Sequence, residues 1–125
     1  MNLFKDTIEE MVARVEGALL VLIVGVDGII IDRAVHPDHL NDGLNFDLLA
    51  AEYTSLLKNA VRTAEDVEIG MLQEMTIFTE QLHFLIKMIT SEYFLMFILQ
   101  PGGNFGRARY ELKKAKIILE RDFRI

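Results

Sequence analysis

Two seven-residue runs constrain this chain more than anything else in it. Ala18 to Val24 reads Ala-Leu-Leu-Val-Leu-Ile-Val, and Tyr93 to Leu99 reads Tyr-Phe-Leu-Met-Phe-Ile-Leu. Neither alternates apolar with polar residues, so neither strand can leave a face in water. Both belong in the middle of a sheet, with helices packed above and below. The longest apolar stretch, Ala18 to Val26, is broken by Gly25 and falls far short of the roughly 20 residues a membrane span needs.

The segments between these strands complete the fold. Phe4, Ile8, Met11, Val12 and Val15 share one helical stripe, which Gly17 ends. Val26-Asp27-Gly28 supplies a turn, and Ile29-Ile30-Ile31 returns as a second strand, making a hairpin. Arg33 to Asn45 holds a proline, a glycine and two histidines and reads as a loop. A long second helix starts at Asn45, a good N-cap, with Asp47 in its first turn. Its predicted inward face is Phe46, Leu49, Ala50, Tyr53, Leu56, Leu57, Ala60, Val61 and Ala64. Asp47, Ser55, Lys58, Asn59 and Arg62 face outward, with Leu48 the one apolar misfit.

Period two then takes over. Ile69, Met71, Met75 and Ile77 alternate with Glu68, Gly70, Glu74 and Thr76, which predicts a third strand. Leu82, Phe84, Ile86 and Met88 oppose Gln81, His83 and Lys87 on a fourth, after a turn at Thr79 to Gln81. Thr90-Ser91-Glu92 turns into the second all-apolar strand. Pro101-Gly102-Gly103-Asn104 ends that strand and caps a last helix, which buries Phe105, Ala108, Leu112, Ala115 and Leu119.

The order is α-β-β-α-β-β-β-α in one domain spanning 1–125. Hairpin pairing sets strand 2 beside strand 1 and strands 3 and 4 in sequence beside strand 5. Joining the two central strands predicts an α/β (α+β) fold with an antiparallel five-stranded sheet of order 2-1-5-4-3. The long helix covers one face and the other two helices cover the opposite one. Strand 3 is then an edge without proline, open to solvent or to a second copy.

Charge narrows the function. Residues 1–80 carry net −10 and residues 81–125 net +4, giving −6 for the chain. That balance argues against general nucleic-acid binding, which needs a basic footprint. The positive share lies mostly between Arg107 and Arg124, a pattern expected of the solvated face of a terminal helix. There is no cysteine, so disulfides, thiolate metal sites and cysteine nucleophiles are excluded. The start, Met-Asn-Leu-Phe-Lys-Asp, is not a secretory leader, so the expected location is the cytoplasm.

Candidate chemical sites are sparse. Pro101 to Gly106 lies where a phosphate loop would, between strand and helix, but matches neither the dinucleotide nor the P-loop pattern and reads as a helix cap. His36 and His39, around Pro37-Asp38, are the one arrangement resembling metal ligands, and without a further ligand cluster they read as polar loop residues. His83 has no acid or nucleophile partner in view. Arg62 is expected to pair with Glu65 or Asp66, and Tyr110 and Ile117 to pack on the first helix. Phe84, Phe94 and Phe97 are expected to fill the space between sheet and helix where a small-molecule pocket would lie. With no nucleophile–base pair, carboxylate dyad or phosphate loop, an enzyme is not expected, nor a cofactor.

Three stretches carry a family resemblance: Val15-Glu16-Gly17-Ala18-Leu19-Leu20 with Asp27-Gly28-Ile29-Ile30-Ile31, Ala51-Glu52-Tyr53 with Leu57 and Ala60, and Asn104-Phe105-Gly106-Arg107-Ala108-Arg109 with Leu112 and Ala115. Together with the strand order they resemble the Roadblock/LC7 domains, including the bacterial proteins that act on a gliding-motility Ras-like GTPase. The loop from Ala34 to Leu44 is long for that family, and the turn after strand 3 lacks its usual glycine. The resemblance implies a homodimer, or a heterodimer with a paralogue, built on strand 3 and the second helix. Leu72, Glu74, Thr76, Glu52, Leu56 and Asn59 would then lie in the dimer interface. It also implies a Ras-like small GTPase as partner, for which Leu48, Ser55, Lys58 and Arg62 are the contact candidates. A structural adaptor that clamps peptides or motor components on the edge strand, blind to nucleotide, is the alternative.

Overall fold

The computed structural model of the chain describes residues 3–40 and 42–123. Its elements are α1 (Leu3–Arg14), β1 (Ala18–Gly25), β2 (Ile30–Val35), a 3₁₀ turn (Pro37–His39), α2 (Phe46–Asp66), β3 (Glu74–Phe78), β4 (His83–Met88), β5 (Tyr93–Leu99) and α3 (Phe105–Phe123). The five strands form one antiparallel sheet in the order β2-β1-β5-β4-β3. This is the order that the two all-apolar runs require, and every residue of β1 is buried.

The pleat divides the core in two. Val21, Ile23, Leu85, Leu95 and Phe97 point toward α1 and α3, where Ile8, Met11, Val12, Ala108, Leu112, Ala115 and Leu119 meet them. Leu20, Leu22, Val24, Phe84, Ile86, Phe94, Met96 and Ile98 point toward α2, where Ala50 and Leu57 close the layer. Burying a large aliphatic or aromatic side chain fully is worth about 1.5–3 kcal/mol, so these two layers supply the main drive to fold.

Two glycines stitch the α1–β1 corner to the β5–α3 corner. Gly17 sits at φ +84°, and a Cβ there would lie 2.5 Å from the Gly103 Cα. The close approach lets the Gln100 amide donate to the Gly17 carbonyl and the Asn104 amide to that of Glu16, at 2.8 Å each. Asn104 Oδ1 then accepts from the Arg107 amide at 3.0 Å and opens α3. Asn45 caps α2 in the same way, accepting from the Leu48 amide at 3.0 Å.

Several expectations need correction. β2 continues through Asp32 and Arg33 to Val35, so the loop begins at His36 and not at Arg33. Polar residues are tolerated there because β2 is an edge, where Asp32 reaches Lys5 at 3.6 Å. β3 begins only at Glu74, because α2 ends in left-handed backbone at Glu68 (φ +59°) and Gly70 (φ +93°). The Ile69 amide still donates to the Ala64 carbonyl, leaving Ile69 and Met71 about three-quarters exposed instead of pleated. Leu56 is 47 % exposed and so faces outward, while Thr54 takes a place in the buried arc of α2. Tyr110 and Ile117 are more than half exposed and do not pack on α1; Tyr110 lies under the Arg107 and Lys114 cations instead.

Candidate protein-binding surface

The outward arc of α2 is where most of the proposed contacts gather. Leu48 is 55 % exposed, and Glu52, Ser55, Leu56, Lys58, Asn59 and Arg62 are exposed beside it. At 3.6 residues per turn these positions share one broad stripe, polar except for two leucines. Arg62 donates to Asn59 Oδ1 at 2.8 Å, so its partner is Asn59 and not the expected Glu65 or Asp66.

β3 supplies a free strand edge next to that helix. It pairs with β4 from Glu74↔Lys87 to Phe78↔His83 and, among the described residues, has no neighbour on its other side. Met75 and Ile77 pack toward α2. Glu74, Thr76 and Phe78 are exposed on the α3 side, where Glu74 meets Lys87 at 3.4 Å and also Arg109. Phe78 stacks on His83 at 4.0 Å and meets Phe105 edge-on at 5.2 Å. The six interface candidates therefore do not form one patch. Glu52, Leu56 and Asn59 lie on α2, Glu74 and Thr76 lie beneath the sheet, and Leu72 precedes the strand, packed against the α2-side core.

The loop histidines serve local structure. His36 Nδ1 accepts from the Asp38 amide at 3.1 Å and opens the 3₁₀ turn. His39 Nδ1 lies 2.7 Å from Asp42 Oδ2, and its Nε2 lies 3.3 Å from the Gln100 side-chain amide. Among the described residues no group of three or more histidines and carboxylates is placed to hold a metal ion. No helix among them is long and apolar enough to cross a membrane.

Three buried polar residues, Thr7, Thr54 and Glu111, are absent from the core that the sequence predicts, and the last two each carry a side-chain oxygen without a hydrogen-bond partner. Glu111, 3 % exposed, sits among Ala108, Leu112 and Ala115 on the inner stripe of α3. Arg14 approaches its Oε1 at 3.6 Å, and Arg107 and Lys114 approach Oε2 at 3.2 and 3.1 Å. Oε2 nevertheless has no aligned hydrogen bond, so the attraction is that of charge proximity. Thr54, also 3 % exposed, has a hydroxyl with no partner among the described residues. Helical spacing was the available signal in both cases, since each is a polar residue at a core position of its stripe.

Phe84, Phe94 and Phe97 are fully buried, but Phe97 packs on the α1 and α3 side, and none of the three lines a cleft of about 270 Å³ that opens at the C-terminal half of α2. Leu57, Val61, Leu72 and Met88 line it, and Lys58, Arg62 and Glu65 also border it.

Comparison with family models finds no match, and none is found among curated proteins. Solved structures do match. MglC from Myxococcus xanthus is 28 % identical at a TM-score of 0.67, over 94 % of this chain and 96 % of that one. A Roadblock/LC7 domain from Streptomyces avermitilis is 13 % identical at a TM-score of 0.82, over 97 % of this chain and 98 % of that one. The gliding protein MglB from Thermus thermophilus is 15 % identical at a TM-score of 0.81, over 97 % and 91 %. The chain has the Roadblock/LC7 fold. Within it, the structure is similar to those of MglC and of the gliding protein MglB.

Proposed function

We propose that the chain is a non-catalytic, dimeric regulator or scaffold that binds a Ras-like small GTPase in the cytoplasm. The observation that carries this reading is an unpaired β3 edge lying beside an exposed α2 arc in a Roadblock/LC7 fold. A second copy, or a paralogue, extends the sheet across β3 and brings Glu52, Leu56 and Asn59 of the two α2 helices together above it. Glu74 and Thr76 flank the join on the other face. Leu72, half-buried just before β3, lies at the start of that edge.

The GTPase then meets Leu48, Ser55, Lys58 and Arg62. Arg62 acts as a contact and not as an inserted catalytic arginine, a role that the family resemblance does not support. Any effect on hydrolysis comes from holding the GTPase in one shape, which requires a difference in affinity between its nucleotide states. No cofactor is required.

The test is solution mass by light scattering, followed by titration with a Ras-like GTPase loaded with a non-hydrolysable GTP analogue or with GDP. The reading expects a dimer that binds the GTP form at least tenfold more tightly. A monomer sinks it. A dimer that ignores nucleotide but captures extended peptides at β3 establishes the adaptor alternative, which the exposed edge also supports.

A further inference from the structure

A cleft lies beside the C-terminal half of α2. Its wall is apolar, from Leu57 and Val61 of α2, Met88 at the end of β4, and Leu72. Two cations, Lys58 and Arg62, border it against one acid, Glu65. Lys58 is exposed and makes no ion pair among the described residues. Thr54 also lines the cleft, 3 % exposed, with its hydroxyl unpartnered.

That hydroxyl is informative because the usual local remedy has not been taken. A helical threonine can donate to the carbonyl four residues back, as Thr63 does to Asn59 at 2.8 Å. Thr54 does not, and an unmade bond on a buried hydroxyl is costly. A group arriving from outside would remove that cost. The cavity volume equals that of about nine waters at roughly 30 Å³ each, a little below the usual range for drug-sized ligands.

We infer that this cleft binds a small amphipathic carboxylate of the size of a medium-chain fatty acid. The alkyl chain lies on Leu57, Val61 and Met88, and the carboxylate accepts from the Thr54 hydroxyl and the Lys58 ammonium, with the Arg62 guanidinium adding positive charge at the rim. A neutral or cationic head would forfeit both charges. Lys58 and Arg62 are also contacts proposed for the GTPase, but the test uses no second protein, so its failure and the failure of the GTPase reading are distinguishable.

The probe is sodium octanoate, titrated below its micellar range into the full chain and followed by amide chemical shifts and calorimetry. Saturable one-to-one binding is expected, with shifts concentrated at Leu57, Val61 and Met88. Lys58→Glu should weaken it about tenfold, and Val61→Phe, which fills the cleft, should abolish it. Thr54→Val should weaken binding several-fold without lowering the melting temperature, so the loss is not one of folding. Octylamine, with the opposite charge on the same chain, should bind at least tenfold more weakly. The inference is overturned if octanoate and octylamine bind alike, if the shifts never saturate, or if Lys58→Glu and Val61→Phe both bind as the parent does. Octanoate binding that is lost as the chain dimerises, with mass falling as octanoate is added, also overturns it, by assigning the cleft to a second copy.

Discussion

Glu111→Gln tests how α3 is held to the rest of the domain. The carboxylate is 3 % exposed, whereas Arg14, Arg107 and Lys114 are 45, 45 and 37 % exposed in their side chains. Breaking a fully buried pair costs about 3–5 kcal/mol, because the partner is left charged and dry. Here the three cations regain water when the carboxylate is lost, which pulls the cost toward the 0–1 kcal/mol of a surface pair. The expected loss is therefore about 2 kcal/mol, intermediate between these limits. With a urea m-value of about 2 kcal/mol/M, the midpoint should fall by about 1 M while m stays fixed. Glu111→Leu should lose less than the glutamine variant, since leucine matches the apolar stripe of Ala108, Leu112 and Ala115 and leaves no amide to satisfy. Arg14 alone of the three cations comes from α1, so a double-mutant cycle with Arg14→Gln should show coupling of about 1 kcal/mol. A glutamine variant within about 0.5 kcal/mol of the parent would show that the carboxylate is merely tolerated and that apolar packing alone seats α3.

Three further outcomes follow from the geometry. Gly17→Ala combines a φ of +84° with a Cβ 2.5 Å from backbone, and should cost about 3 kcal/mol or more or prevent folding, as read by thermal melting. Thr54→Val removes an unsatisfied buried hydroxyl without changing shape, and should raise stability by about 1 kcal/mol in the same assay. Thr76→Lys with Leu56→Glu places charge on β3 and on the exposed arc of α2; light scattering should show the monomer mass while circular dichroism keeps its helical signal.

The strand order was legible because β1 and β5 carry no polar alternation, a property that admits only a central, doubly covered position. The helix caps at Asn45 and Asn104 were legible for a similar reason, since each is a strong local preference that tertiary packing reinforces. The boundaries of β2 and β3 were not. Asp32 and Arg33 look like loop residues until the strand is known to be an edge, and the alternation from Glu68 to Ile77 conceals the left-handed turn that ends α2. Leu56 faces water and Thr54 the core because helical angle, not hydrophobicity, sets the face; Thr54 follows Ala50 by four residues and precedes Leu57 by three. Of the surface, α2's polar arc was readable from periodicity, whereas the cleft was not, because it depends on where the irregular chain from Val67 to Gln73 settles.

The two edges of the sheet differ in a way that bears on assembly. β2 is interrupted, with Val24 paired to Ile30 but Ile23 to Asp32, so Ile31 bulges and breaks the ladder. Lys5 donates to the Arg33 carbonyl and pairs with Asp32, which places a charge against that strand from α1. Ile29 and Ile31 are exposed there, but on a bent strand that offers no straight run of donors and acceptors. β3 has none of these defences: its pairing with β4 is continuous, it contains no proline, and its one charge, Glu74, is drawn toward Lys87 and Arg109. Natural sheets usually blunt an edge that must stay solvated. On the proposed dimer the open edge is the one a second copy would use, so the β3 variants and not changes on β2 should control the mass in solution.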